Sequence, residues 1–216
     1  MSSFTASLTR PQVSSNGNRA ATSLADQILD AALDTFAAKG YHGATIREIA
    51  GRADVSVAGI YHHFPSKQRL LERVMANTMD DLVAATEAMV VEAGDDPRAR
   101  LEAAVAAHVR FHIDSQRESF VGNTELRSLE EPARAEIVRK RDRQREIFRN
   151  AVLDGVRKAV FTVQVPEEAG RALVTMCTAV AAWYRASGPL DPEEIVRRYQ
   201  QLALLIVGYR PQPQRV

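Results

Sequence analysis

From about residue 23 onward, apolar residues recur every three to four positions along nearly the whole chain. That interval is the period of an amphipathic α-helix. No segment alternates apolar and polar residues over the length of a strand, and no Asn-Gly turn joins two apolar runs. Helix starts are marked by prolines beside acidic residues, as at Asp96-Pro97 and Asp191-Pro192. The pattern therefore predicts an all-α protein of about nine helices.

The first predicted helix begins at Ser23, and Gly40 ends it. A much longer helix begins at Ser66 and continues to about Val91, before Gly94. It is long enough to leave a small N-terminal domain, residues 23–67, and enter a larger one, residues 68–210. The remaining predicted helices cover 97–116, 120–129, 132–160, 166–186 and 192–207.

Between them, residues 45–67 read as a helix-turn-helix. Thr45 and Glu48 have the spacing of a capping box, which begins the first short helix. Asp54 follows that helix, Ser56 can cap the second, and Pro65 ends it. The core predicted for this three-helix domain consists of Ile28, Phe36, Ile49, Val55, Ile60 and Phe64.

A helix-turn-helix can bind DNA because its second helix fits the major groove while the first crosses the backbone. We expect Val57, Ala58, Gly59 and His62 to face the bases. The remaining predicted DNA contacts either could bond phosphate oxygens or lie at the start of one of the two short helices. They are Thr45, Arg47, Ser56, Tyr61, His63 and Lys67. Paired short helices also occur in proteins that bind no nucleic acid, so the spacing alone leaves both interpretations open.

The segment and its flanks contain Gly40-Tyr41, Thr45-Ile46, Ile49-Ala50, Ala53, Val55, Ile60-Tyr61-His62-His63-Phe64, Lys67 and Leu70-Leu71. These residues resemble the DNA-binding signature of TetR-type transcriptional repressors. The resemblance implies a homodimer and phosphate contacts at Tyr61, His63 and Lys67. It also implies that the base-reading positions vary within the family, so their identities do not reveal the operator.

Composition agrees with a globular protein: 45% of the 216 residues are hydrophobic and 25% are charged. The net charge of +1 allows DNA binding, which needs only a local basic face. Cys177 is the single cysteine, which fits a reducing, cytoplasmic setting, and no apolar run is long enough for a membrane span. Residues 1–22 read as a flexible arm, in which Arg10 and Arg19 either reach the minor groove or belong to an unstructured tail. Residues 211–216 read as a C-terminal tail.

The last two predicted helices are the most apolar, with stripes of Leu173, Met176, Cys177, Val180, Trp183 and Tyr184, and of Ile195, Tyr199, Leu202, Leu205 and Ile206. Leu204 and Val207 add apolar surface beyond the second stripe. We therefore expect these helices to form a two-fold dimer interface, which would pair the recognition helices on a palindromic operator. A monomer that spends both stripes on its own core is the alternative.

Polar and aromatic side chains that interrupt apolar faces are candidates for an effector pocket. An aromatic, Met- and Arg-bearing pocket suits an amphipathic ligand with an anionic end. Residues 125–129 and 183–190 also look similar to actinobacterial regulators of fatty-acid and steroid degradation, which implies an acyl-coenzyme A effector. The predicted ligand-binding residues are His108, Phe111, His112, Asn123, Arg127, Arg141, Gln144, Arg145, Met176, Trp183 and Tyr184.

Metal binding and catalysis are less well supported. His108 and His112 are four apart on one helical face, but the sequence offers no third metal ligand. No nucleophile elbow or phosphate-binding loop is present, so we expect neither an enzyme nor a cofactor. The sequence thus predicts a dimeric, ligand-responsive transcriptional repressor. The alternatives are an activator, an architectural DNA binder without an effector, and a helical small-ligand enzyme or carrier whose first helices are only structural.

Overall fold

The computed structural model describes residues 23–210, so the predicted arm and tail lie outside the described residues. Within that range the chain forms ten α-helices and one 3₁₀ turn, Glu125–Ser128, and no strand. Only Ala179 separates α8 from α9, so the two together form one element and bring the number of helices to the predicted nine. The helices are α1 (Leu24–Gly43), α2 (Ile46–Arg52), α3 (Val57–His63), α4 (Lys67–Glu92), α5 (Pro97–Asp114), α6 (Gln116–Thr124), α7 (Ala133–Arg157), α8 (Pro166–Thr178), α9 (Val180–Trp183) and α10 (Pro192–Ile206).

Side-chain caps explain most of the helix starts. Thr45 and Glu48 form the predicted capping box, and Ser56 accepts a hydrogen bond from the Gly59 amide at 3.0 Å. Asp191 likewise caps α10, but Glu194 does not return to the cap, because its carboxylate pairs with arginines one turn further on. Local sequence therefore determines where these helices begin.

The α1–α3 domain packs around a core that agrees with the prediction except at one position. Ile28, Phe36, Ile49 and Ile60 are fully buried, and Phe64 is nearly so. Val55 is only half-buried and packs against the edge of this core. The core continues without a break along α4 as far as Val83 and on to residues of α6 and α7. The α1–α3 domain and the larger domain therefore share one packed cluster.

Several predicted boundaries differ from the structure: the helices predicted to end at residues 129 and 160 end at Thr124 and Arg157. The helix predicted to begin at Phe120 begins at Gln116, because only Ser115, with non-helical φ/ψ, separates it from α5. The helix predicted over 166–186 ends at Trp183, because Tyr184 is extended. None of the described helices has the length and apolar character that crossing a membrane would require.

The sequence pattern assigned Leu204 and Val207 to the outer face of α10, and this assignment was wrong. Val207 is fully buried and Leu204 half-buried, whereas Leu202, Leu205 and Ile206 are 46%, 75% and 38% exposed. The helix packs on α5 through residues spaced by three and four, which turns the positions between them outward. The buried face consists of Ile195, Val196, Ala203 and Val207.

Candidate DNA-binding and effector-binding sites

The outer surface of α3 carries the residues predicted to face DNA. Ile60 and Phe64 are buried in the core and hold the inner side of this helix in place. Gly59 is half-buried and leaves space, since an added Cβ would come no closer than 3.4 Å to the Ser56 hydroxyl. A small, open helix face of this kind permits close approach to a groove. The exposed residues are Val57, Ala58, Tyr61, His62 and His63.

The start of α2 presents the second part of this surface. The Thr45 hydroxyl accepts from the Glu48 amide at 3.2 Å, and Thr45 itself is exposed. Arg47 is also exposed and forms no ion pair with any residue between 23 and 210. The other basic side chains nearby are paired, Lys39 with Glu48 and Arg52 with Asp34 at 3.3 Å. Arg47 is therefore the cation on this face that is free for a phosphate.

Lys67, the predicted phosphate contact at the start of α4, points back into the protein. Its Nζ donates to the carbonyls of Tyr41 at 2.8 Å and Ala44 at 2.9 Å, and lies 4.3 Å from the centre of the Tyr41 ring. Lys67 thus satisfies carbonyls at the C-terminal end of α1. One of its three N–H donors is left for DNA, so the phosphate contact stays a prediction.

The larger domain encloses a cavity of about 600 Å³ between α4, α5, α6, α7 and α8. Its size falls in the range of small-molecule sites. Apolar side chains make up much of the wall, and a few polar groups converge on it. The lining residues are Thr78, Met79, Leu82, His108, Phe111, His112, Glu118, Ser119, Gly122, Asn123, Leu126, Val138, Arg141, Gln144, Arg145, Val174, Thr175, Thr178, Ala179 and Ala182.

Seven of the eleven predicted ligand-binding residues line this cavity, namely His108, Phe111, His112, Asn123, Arg141, Gln144 and Arg145. The other four lie elsewhere. Arg127 is exposed on the 3₁₀ turn, and Met176 packs on the core of the larger domain. Trp183 stacks on Tyr199 with ring centroids 6.5 Å apart, and Tyr184 is buried in the core. Ala182 is the last residue of α9 that lines the cavity, so the aromatic pair lies beyond its edge.

The α4 and α8 walls of the cavity were not predicted from the sequence. Thr78 of α4 interrupts an otherwise apolar stripe and bonds the Val74 carbonyl at 2.9 Å, and Thr178 of α8 does the same with Val174. Single hydroxyls at helical spacing are a weak signal, because back-bonding to the helix satisfies them without a ligand.

Beside the cavity lies a buried polar network centred on two histidines. His108 Nε2 is 3.0 Å from both the Thr178 hydroxyl and His112 Nε2. His112 Nδ1 is 2.7 Å from the Ser119 hydroxyl. On the other side, His108 Nδ1 is 2.9 Å from the Gln144 amide nitrogen. The two imidazoles therefore bond each other and their neighbours, and each of their ring nitrogens has a partner among the described residues.

Burial keeps both imidazoles neutral. It holds the pKa of His108 well below its ordinary value, with the neighbouring His112 adding to the effect, and it lowers the pKa of His112 to about 4. No cluster of three potential metal ligands occurs within residues 23–210. Cys177 is buried in the core, and burial raises the pKa of its thiol, which disfavours the reactive thiolate.

Arg141 is the cation that the cavity wall leaves without a counter-ion. Its guanidinium donates to the Gly122 carbonyl and pairs with no carboxylate among the described residues. Burial lowers its pKa, and nearby Arg145 lowers it further. Arg145 differs, because it is paired with Asp142. An anion in the cavity would therefore be stabilised most by Arg141.

Helix α6 connects the cavity to the DNA-binding domain. Its inner face contributes Ser119 and Gly122 to the cavity wall. On its outer face, Arg117 pairs with Asp34 of α1 and lies 3.4 Å from Asp30. Asp34 also pairs with Arg52 of α2, so one carboxylate joins α1, α2 and α6. A shift of α6 would therefore act directly on α1 and α2, and α2 packs against α3.

Comparison with known proteins agrees with both halves of this architecture. Residues 28–74 match the model of the bacterial regulatory proteins of the tetR family, and residues 94–207 match the tetracyclin repressor-like C-terminal domain. The transcriptional repressor KstR2 of Rhodococcus jostii is 27% identical over 82% of this chain and 88% of its own length.

Solved structures show the same fold. A tetR-family regulatory protein from Rhodococcus RHA1 superposes with a TM-score of 0.80 and 32% identity, over 87% of this chain and 98% of the other. AibR, solved with isovaleryl coenzyme A and operator DNA, superposes with a TM-score of 0.78 at 21% identity, over 87% of this chain and all of its own. These relatives are transcriptional regulators, which favours a regulator over the enzyme or carrier alternative. The chain belongs to the TetR family and is a ligand-responsive, DNA-binding transcriptional repressor.

Proposed function

We propose that this repressor binds a palindromic operator as a homodimer and releases it when an amphipathic anion, of the acyl-coenzyme A class, fills the cavity of the larger domain. The observation that carries the proposal is Arg141, a cation without a counter-ion beside a largely apolar space of about 600 Å³. The acyl chain would occupy the apolar space while the anionic part meets the guanidinium. The complex of AibR with isovaleryl coenzyme A supports the same ligand class.

The DNA-binding surface consists of the exposed face of α3 and the start of α2. Arg47 is the clearest phosphate contact, since it is exposed and unpaired. Replacing it with alanine should weaken binding on every sequence and reduce the slope of log K against log salt by about one. Arg157→Ala is the matched control, because that arginine is paired with Asp154 at the far end of α7. An unchanged slope for Arg47→Ala would count against this contact.

The homodimer would bury the apolar outer face of α9 and α10, where Trp183, Leu202, Leu205 and Ile206 are exposed. Covering such a face with its two-fold copy places two α3 helices on successive half-sites. Leu205→Glu puts a charge at the most exposed of these positions and should give a monomer by sedimentation velocity, with loss of operator binding. A variant that stays dimeric would place the interface elsewhere.

The switch works through α6. An effector that contacts Ser119 and Gly122 and binds better to a shifted α6 would move α1 and α2 through Arg117 and Asp34. Arg117→Ala should therefore weaken the coupling between effector and operator more than it weakens either binding event alone. Equal coupling in this variant and in the wild type would exclude the ion pair as the connection.

The decisive experiment first finds, by footprinting, the fragment of the intergenic DNA beside the gene that the protein protects. Binding to that fragment is then followed by fluorescence anisotropy, with octanoyl-coenzyme A, coenzyme A and octanoate as effectors. We expect octanoyl-coenzyme A to release the operator from the wild type. Arg141→Gln should reduce its affinity about tenfold or more, because a charge-assisted hydrogen bond is lost. Arg145→Gln is the matched control and should have a smaller effect, since Asp142 already neutralises that arginine. Release by none of the three compounds would discard this ligand class.

The rival functions make different predictions. An enzyme or carrier would bind or turn over its ligand and would show no salt-sensitive DNA affinity. We propose no catalytic role for this chain. An architectural DNA binder would hold its site whatever fills the cavity. An activator would raise transcription from the bound promoter in a reconstituted assay. As a regulator of bacterial genes, the protein is proposed to act in the cytoplasm.

A further inference from the structure

The buried network beside the cavity contains one polar atom without a partner. Gln144 is 2% exposed and lines the cavity. Its amide nitrogen donates to the Thr86 hydroxyl at 3.0 Å and to His108 Nδ1 at 2.9 Å. Its carbonyl oxygen, Oε1, is fully buried and bonds to no atom of residues 23–210. Buried carbonyl oxygens without a partner are rare, and one beside a ligand cavity requires an explanation.

The orientation of the Gln144 amide follows from its neighbours. The Thr86 hydroxyl bonds the Leu82 carbonyl at 2.8 Å, and that carbonyl can only accept. The hydroxyl hydrogen is therefore committed to Leu82, and the Thr86 oxygen must receive an N–H from Gln144. The amide nitrogen consequently faces Thr86, and the oxygen is the atom left over.

The protons of the histidine pair can be placed by the same reasoning. His108 Nδ1 accepts from Gln144, so the hydrogen of this neutral ring is on Nε2 and is shared between Thr178 and His112. His112 Nε2 then accepts, and its Nδ1 hydrogen goes to Ser119. Every ring nitrogen has a partner in this arrangement. Gln144 Oε1 is the one polar side-chain atom of this network that has no hydrogen-bond partner among the described residues.

We propose that the effector carries a hydrogen-bond donor, a hydroxyl or an amide N–H, that pairs with Gln144 Oε1. A neutral donor is favoured over a cation, because Arg141, one helical turn away on the same face of α7, already supplies positive charge. The inference deepens the proposed function and rests on its ligand cavity. Within that cavity it defines two positions, an anion at Arg141 and a neutral donor at Gln144.

This pairing also links the ligand to the fold. The oxygen is shielded in the present conformation, so a donor reaches it only when the cavity wall shifts. The network joins α7 to Thr86 of α4, His108 of α5, Ser119 of α6 and Thr178 of α8. A ligand that satisfies Gln144 therefore favours a rearranged set of helices, which is the differential binding that a switch requires.

The test compares ligands that differ only in the donor. Octanol and its isomer heptyl methyl ether contain the same atoms, but only octanol donates a hydrogen bond. By calorimetry or ligand-detected NMR, the wild type should bind octanol about tenfold more tightly. Gln144→Met removes the acceptor at similar volume and should abolish this preference. Gln164→Met, the same change in the exposed segment before α8, should keep it.

Equal binding of the two isomers by the wild type would overturn the proposal, and this comparison does not depend on any variant folding. A preference that survives in a folded Gln144→Met variant would overturn it as well. Because neither isomer is charged, an octanol preference without any binding of octanoyl-coenzyme A would refute the anionic effector and leave the donor intact.

The thioesters then identify the source of the donor. If the donor is a hydroxyl on the acyl chain, Gln144→Met should weaken β-hydroxyoctanoyl-coenzyme A about tenfold and leave octanoyl-coenzyme A unaffected. If the donor is an amide N–H of the coenzyme A arm, both thioesters should weaken equally. Neither thioester weakening in a folded variant would contradict the pairing.

Discussion

Protonation of the buried histidine pair should make the protein less stable in mild acid. An imidazole has a pKa of about 6.5 in the unfolded chain, whereas burial lowers the pKa of His112 to about 4 in the folded protein. Between pH 4 and pH 6.5 the His112 imidazole is protonated in the unfolded chain and neutral in the folded protein. Stability is therefore retained above pH 6.5 and lost as the pH falls toward 4. His108 changes stability in the same direction.

The size of the effect follows from the two pKa values of His112. At pH 5 its unfolded imidazole is almost fully protonated, which favours unfolding by about 2 kcal/mol relative to pH 7. Over the whole window from pH 6.5 to 4 the difference is about 3 kcal/mol. The charged residues of the cavity wall are Glu118, Arg141 and Arg145, whereas the direct contacts of His112 are the Ser119 hydroxyl and the His108 imidazole.

The assay is urea unfolding followed by circular dichroism at pH 7 and pH 5, at one fixed protein concentration because a dimer's stability depends on it. His112→Asn should reduce the pH 7 to pH 5 difference by about 2 kcal/mol. Val109→Ala, a destabilising core change on the same helix without a titrating group, should keep the wild-type difference. Equal differences in wild type and His112→Asn would refute the reasoning.

Three further predictions concern stability and use the same urea titrations. Gly155→Ala would place its Cβ 2.0 Å from the ring of Phe161 and should destabilise the protein by about 1 to 3 kcal/mol; a loss much below this would mean that the ring moves aside freely. Gly51→Ala meets nothing within 4 Å on the exposed side of α2 and should stabilise by up to about 1 kcal/mol, so a loss there would indicate an unseen contact. Lys67→Met breaks two hydrogen bonds to the end of α1 and should cost about 2 kcal/mol. Lys39→Met breaks only an exposed ion pair and should cost clearly less, so equal losses would show that Lys67 does not hold α1 in place.

Local sequence determined much of the DNA-binding domain. The capping box of Thr45 and Glu48 and the cap at Ser56 involve residues no more than three apart. The starts of α2 and α3 can therefore be predicted without knowledge of the tertiary structure. The inward pair Ile60 and Phe64 follows from helical spacing alone. The exposed side of α3 was therefore predictable from helix geometry except at Gly59, which is half-buried. Whether this side contacts DNA stays a prediction.

The cavity depended on contacts that helical spacing does not specify. Sequence marked His108, Gln144 and Arg141 as polar interruptions of apolar faces, but the closed network with one unpaired oxygen exists only because five helices meet there. Trp183 and Tyr184 were predicted as pocket residues, but α9 ends at Trp183, which stacks on Tyr199, and Tyr184 is buried in the core instead of the cavity wall.

Long-range packing also decided the faces of α10 and the direction of Lys67. Val207 and Leu205 are equally apolar in sequence, yet one is buried and the other is 75% exposed, because α5 selects which side of α10 it covers. Lys67 turns toward carbonyls 23 and 26 residues earlier in the chain. Where a helix begins and which of its residues share a face are local properties of the chain, whereas what each face contacts depends on the other helices packed against it.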